Sequence, residues 1–180
     1  QSPVPTVPAH SVLSLSPNPL NVLPGQQATA QVMIDTSDNA VTAVQLEIEY
    51  DPQVISNVQA TPGVAFQNPV VLINKNNPQE GRLTYAIGIT PNRPTIKGSV
   101  PVATITFTAR GTVGTQTALT LLPETLVTAR GVASSVLKSA TGTTVTIGGT
   151  QAGTTTGTTT VTQPQTQQAA PTAAAPVVGQ

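Results

Sequence analysis

The stretch Val41-Thr42-Ala43-Val44-Gln45-Leu46-Glu47-Ile48-Glu49-Tyr50-Asp51-Pro52 restricts the fold of this chain more than any other. Val44, Leu46, Ile48 and Tyr50 alternate with Ala43, Gln45, Glu47 and Glu49, so an extended strand buries one face and wets the other. Asp51-Pro52 then stops the strand, because proline has no N–H to donate to a ladder and favours a turn. A Pro24-Gly25 turn and a second alternating run, Ala28 to Asp35, precede it.

The same pattern recurs along the chain. Strands are expected at Ser11–Ser16, Ala28–Asp35, Thr42–Tyr50, Val70–Asn74, Leu83–Thr90, Val102–Ala109, Ala118–Leu122, Leu126–Ala129 and Thr143–Ile147, where β-branched residues are enriched and Pro, Gly or Asn punctuate the gaps. Leu83, Tyr85, Ile87 and Ile89 alternate cleanly, with Arg82, Thr84, Ala86, Gly88 and Thr90 on the other face. Val102, Ile105 and Phe107 belong to the core after a slip near Ala103-Thr104, which a bulge would explain. No amphipathic helix is evident, and Gln53 to Asn57 has room for one helical turn. Regular short strands with turn signals predict an all-β fold of two stacked sheets, a jelly-roll β-sandwich.

Three segments are expected. Residues 1–10 form a proline-rich arm with Pro3, Pro5 and Pro8. Residues 11–149 form the sandwich. Residues 150–180, rich in Thr, Gln, Pro and Ala and lying beyond the last charged residue, Lys138, are a disordered linker or stalk whose threonines suit O-glycosylation.

Composition excludes several roles. Seven basic and seven acidic residues leave a formal charge of zero, whereas nucleic acid demands a basic surface. No apolar run approaches the roughly 20 residues of a spanning helix, and Gln1 does not open a secretory leader. The expectation is a soluble piece of a longer exported protein, without membrane contact of its own. The absence of cysteine removes disulfides, thiolate metal sites and cysteine nucleophiles.

The search for chemistry yields little. His10 is the only histidine and sits in the arm, without partners for a metal or a triad. Glu47 and Glu49 stand about 7 Å apart on one strand face, but that face is expected to be wet and has no aromatic wall to seat a sugar. Asp35-Thr36-Ser37-Asp38-Asn39 offers oxygens to calcium, yet lacks EF-hand spacing and is composed of ordinary turn formers. Carbohydrate platforms stack sugars on aromatic rings. This chain has only Tyr50, Tyr85, Phe66 and Phe107, of which Phe66 alone is expected at the surface. No enzyme activity, metal or cofactor is therefore expected.

Pro24-Gly25-Gln26, the Val44-to-Pro52 strand and turn, Gly81-Arg82-Leu83-Thr84-Tyr85-Ala86 and Ala103-Thr104-Ile105-Thr106-Phe107 occur in an order that resembles the cohesin domain. The resemblance covers about residues 11–149. It implies a nine-strand jelly roll that grips a dockerin-type protein partner, in a secreted complex or on a cell surface. The implied partner-binding face comprises Ala43, Gln45, Glu47, Thr84, Gly88 and Thr90. Typical cellulosomal members carry an Asn/Asp pair where this chain has Ala43 and Gln45. The alternatives are a structural spacer or adhesin domain of a surface protein, and a carbohydrate-binding module.

Overall fold

A computed structural model of the protein describes residues 7–148. The first six residues of the expected arm and the whole of the expected 150–180 linker lie outside the described residues. Twelve strands follow in order: β1 Ser11–Ser16, β2 Leu20–Val22, β3 Gln27–Asp35, β4 Val41–Glu49, β5 Ile55–Pro62, β6 Val70–Asn77, β7 Arg82–Gly88, β8 Ser99–Ala109, β9 Gln116–Leu121, β10 Leu126–Ala129, β11 Leu137–Thr141 and β12 Thr143–Ile147. They form two mixed sheets. One runs β11-β1-β3-β8-β5; the other runs β2-β12-β9-β4-β7-β6, with β10 also paired to β4.

All nine expected strands are present, and the correction is to their number. β2 and β11 are short continuations that carry the chain from one sheet to the other. β5 escaped notice because its buried residues are Ile55, Val58 and Ala60, a broken alternation. The break has a local cause: Asn57 adopts a positive φ of 51°, and the register with β8 shifts between Ser56 and Gln59. The helical turn falls earlier than expected, where Val54 and Ile55 N–H both donate to Asp51 O and Asp51 Oδ1 caps Gln53 N–H at 2.8 Å.

The core lies between the sheets. Val44, Leu46 and Ile48 from β4 and Leu83, Tyr85 and Ile87 from β7 meet Leu13, Val32, Ile34, Ile105 and Phe107 from the opposing layer. The slip expected in β8 is a bulge one residue earlier. Val32 pairs with Ala103 and Met33 with Pro101, so Val102 has no partner in β3, and Val102 and Ala103 are both buried. Pro101 sits at that bulge, where its missing N–H leaves the ladder intact. Phe66, expected at the surface, is buried in the core. All four aromatic rings therefore face inward, and none offers a stacking platform.

The first two strands are joined to the last two by parallel pairing. β1 lies parallel to β11, and β2 parallel to β12. Gly142, between β11 and β12, is the crossing point, and a Cβ there would strike the backbone carbonyl of Leu119.

Candidate functional site

The outer face of the β10-β4-β7-β6 sheet follows from register. Antiparallel pairing sets Thr128, Ala43, Gly88 and Val70 in one row across four strands, and Leu126, Gln45, Ala86 and Ile73 in the next. Further along, Glu47, Thr84 and Lys75 form a third row, then Glu49, Arg82 and Asn77 a fourth. Residues directly opposite on one face are the contact unit of a sheet. The surface thus passes from small and apolar at one end to charged at the other.

Its small end is tight as well as flat. A Cβ added at Gly88 would meet Ala43 Cβ at 3.1 Å and Thr42 O at 3.3 Å. Ala86 is buried although it faces outward, covered by its longer cross-strand neighbours Gln45 and Ile73.

At the charged end, Glu47 is held through both backbone and side chain. Its N–H donates to Thr125 Oγ1 at 3.2 Å, and its carbonyl accepts from Leu122 N–H at 2.8 Å. This is where the chain passes from β9 to β10 along the edge of β4. Its carboxylate accepts from Gln45 Nε2 at Oε1, 3.1 Å, and from Thr84 Oγ1 at Oε2, 2.7 Å. Among the described residues, the sole contact within 4 Å between a basic and an acidic side chain is that of His10 with Asp38, so no cation closes on Glu47. Lys75, Arg82, Glu80 and Glu124 rim an open basin around Gln45, Glu47 and Thr84.

Five of the six expected face residues, Ala43, Gln45, Glu47, Thr84 and Gly88, share this surface. Thr90 does not. β7 ends at Gly88, and Thr90 lies in the following loop beside Pro91, Arg93 and Arg130. Val70, Ile73, Lys75, Leu126 and Glu124 complete the face and were not read from the sequence, because strand order brings them there. Leu126 is exposed on this face beside the buried Val127.

The other candidates have structural employment. Asp35 Oδ1 accepts from Ser37 N–H at 2.9 Å, a local turn. Buried Asn39 accepts from His10 N–H and Ser11 Oγ and donates to Pro8 O, each at 3.0 Å. His10, expected to hang free in the arm, instead meets Asp38 at 2.6 Å. That hydrogen bond lowers the Asp38 pKa below its ordinary 3.8. Beneath the face, burial raises the pKa of Tyr85 and of Tyr50, whose hydroxyl donates to Asn76 Oδ1 at 2.7 Å.

Comparison with known proteins agrees with this fold. A family model described as "Cohesin domain" matches residues 17–147. A non-cellulosomal cohesin from the archaeon Archaeoglobus fulgidus superposes with a TM-score of 0.63 at 18% identity, covering 78% of this chain and 93% of that one. A cohesin from Clostridium acetobutylicum, solved in solution, gives 0.61 at 20% identity, covering 78% and 92%. The sixth cohesin of Acetivibrio cellulolyticus scaffoldin B, solved in complex with the Cel5 dockerin, gives 0.64 at 16% identity, covering 77% and 99%. At these identities the structural likeness is one of fold. A search of curated protein sequences finds no match.

Proposed function

The chain belongs to the cohesin family, and on that premise we propose that it is a non-catalytic attachment module whose outer β4–β7 face receives a dockerin-type protein partner, in a secreted complex or on a cell surface. The supporting observation is the Glu47 carboxylate, oriented by Gln45 and Thr84 on an open sheet face with no ion-pair partner. A fixed anionic acceptor loses little freedom when a donor arrives, so its binding energy is not spent on ordering it. Where typical members carry an Asn/Asp pair, Ala43 is small and Gln45 is turned toward Glu47. The anchoring acceptor is therefore Glu47, and the partner presents a lysine, arginine or hydroxyl to it. The small end, Ala43, Ala86 and Gly88, admits close approach of a helix backbone.

The test is affinity capture by the 180-residue chain from the secreted and surface proteins of its source, repeated with Gln45→Arg/Thr84→Arg. Two arginines on this face should abolish capture while circular dichroism stays unchanged. Unchanged affinity in the double variant removes this face from recognition. Recovery of nothing by a folded wild-type domain turns the reading to the structural spacer.

A further inference from the structure

Two exposed arginines stand beyond the small end of the outer face, each on a tight turn. In Thr90-Pro91-Asn92-Arg93, Arg93 N–H donates to Thr90 O at 3.2 Å and Asn92 has a positive φ of 68°. In Ala129-Arg130-Gly131-Val132, Val132 N–H donates to Ala129 O at 3.3 Å and Gly131 has a φ of 76°. A positive φ at the third residue is the pattern of a type II turn, for which proline at the second position, here Pro91, is preset. The turns are tied to each other and to the sheet. Arg130 Nη2 donates to Arg93 O at 3.0 Å, and Arg130 N–H donates to Ala40 O at 2.9 Å. Beside them lies an open depression of about 740 Å³, lined also by Thr42, Ile89, Thr90 and Asn92. Among the described residues, no carboxylate lies within 4 Å of either guanidinium. The depression adjoins the outer face, because Thr42 Oγ1 is 3.3 Å from Thr128 Oγ1, in the row of Ala43 and Gly88.

We propose that Arg93 and Arg130 form an anion-binding locus that takes a carboxylate from an acidic segment of the protein partner. A guanidinium fork matches a carboxylate bidentately, and a fork already tied to a rigid turn loses less freedom on binding. An acidic sugar is the poorer fit, because all four aromatic rings are buried and none offers a stacking surface there. The choice of a protein segment rests on the docking reading, since the locus continues the face assigned to the partner. Thr42 precedes Glu47 in β4 by about 17 Å of strand at the usual rise. About 11 residues of helix, three turns, span that length. The partner therefore carries an acidic residue about three helical turns from the group that meets Glu47.

Titration of the full 180-residue chain with a hexaglutamate peptide, followed by NMR at the arginine Nε–Hε groups, tests the locus without any partner protein. Its failure is therefore distinct from failure of the docking reading. Zero formal charge gives the chain no overall attraction for the peptide, so saturation reports a local site. Saturable shifts at Arg93 and Arg130 with a Kd of about 1 mM are expected, weakening as salt is raised. Arg130→Gln should weaken binding about threefold, within the range of an exposed ion pair, and Arg93→Gln/Arg130→Gln should remove saturation. Arg110→Gln, at the other end of β8 from the Arg93 loop, should leave it unchanged. All three side chains are exposed, so the variants should keep the wild-type circular dichroism. No saturation by about 10 mM peptide, an equal loss in Arg110→Gln, or tighter binding of oligogalacturonate or inorganic phosphate at the same two groups would overturn the locus as a peptide-carboxylate site. If a captured partner is released by Gln45→Arg/Thr84→Arg but holds Arg93→Gln/Arg130→Gln as tightly as wild type, docking stands and this extension of it falls.

Discussion

The Thr84 hydroxyl donates to Glu47 Oε2 at 2.7 Å across the β4–β7 pair, and so aims a carboxylate out of a sheet face that carries no neutralising cation within 4 Å. Both residues are half-buried, so the bond matters more for orientation than for stability. Thr84→Val should lower unfolding free energy by less than about 1.5 kcal/mol and weaken partner binding roughly tenfold through lost preorganisation. Urea denaturation and titration calorimetry with the captured partner measure the two effects. If Glu47→Ala abolishes binding while Thr84→Val leaves it intact, orientation of the carboxylate is irrelevant.

Gly81 and Gly25 both adopt positive φ, at 65° and 75°, but only one is enclosed. A Cβ at Gly81 would overlap Tyr50 O, while nothing lies within 4 Å of one at Gly25. Gly25→Ala should therefore cost about 1–2 kcal/mol, the left-handed strain alone. Gly81→Ala should cost about 2–5 kcal/mol, because steric overlap adds to the same strain. Equal urea midpoints for the two variants would contradict the enclosure of Gly81.

Tyr85 is fully buried and its hydroxyl finds no hydrogen-bond partner among the described residues, unlike that of Tyr50. Tyr85→Phe should be neutral or stabilising by up to about 2 kcal/mol, whereas Tyr50→Phe should lose about 1 kcal/mol. Both folded-state pKa values lie above the ordinary 10.0. The folded chain thus keeps protons that the unfolded chain releases, and stability present below pH 10 falls as pH rises past it. Tyrosinate absorbance during alkaline unfolding would register that release, and ionisation at pH 10 without unfolding would refute it.

The His10–Asp38 contact predicts an acid-side dependence. The folded Asp38 pKa lies below its ordinary 3.8, chiefly through the hydrogen bond from His10. Its contribution to stability is therefore present above pH 3.8 and is lost as pH falls through the lowered value. His10→Ala should return the Asp38 carboxyl titration toward 3.8 in a carbon-detected NMR experiment. A titration unchanged by that substitution would mean the pair does not persist in solution.

Much of this architecture is legible in local pattern. The run from Val44 to Tyr50 alternates without interruption, so burial of one face is the direct consequence of a two-residue side-chain period. β5 was illegible because a positive φ at Asn57 offsets its buried residues, and no periodicity survives a register shift. Phe66 was misjudged because it lies in a loop, where no alternation says which way a ring turns. His10 looked unattached because its partners, Asp38 and Asn39, are 28 and 29 residues away.

The candidate site divides in the same way. That Gln45 and Glu47 point away from the core follows from the alternation of β4 alone. That Thr84 stands opposite Glu47, Gly88 against Ala43 and Leu126 beside Gln45 depends on which strands become neighbours and in what register. That Thr90 leaves the face depends on where β7 stops. Side-chain alternation is a property of one strand and is written in its residues. Strand order and register are set by the packing of both sheets around one core, so the face exists only once the sandwich has closed.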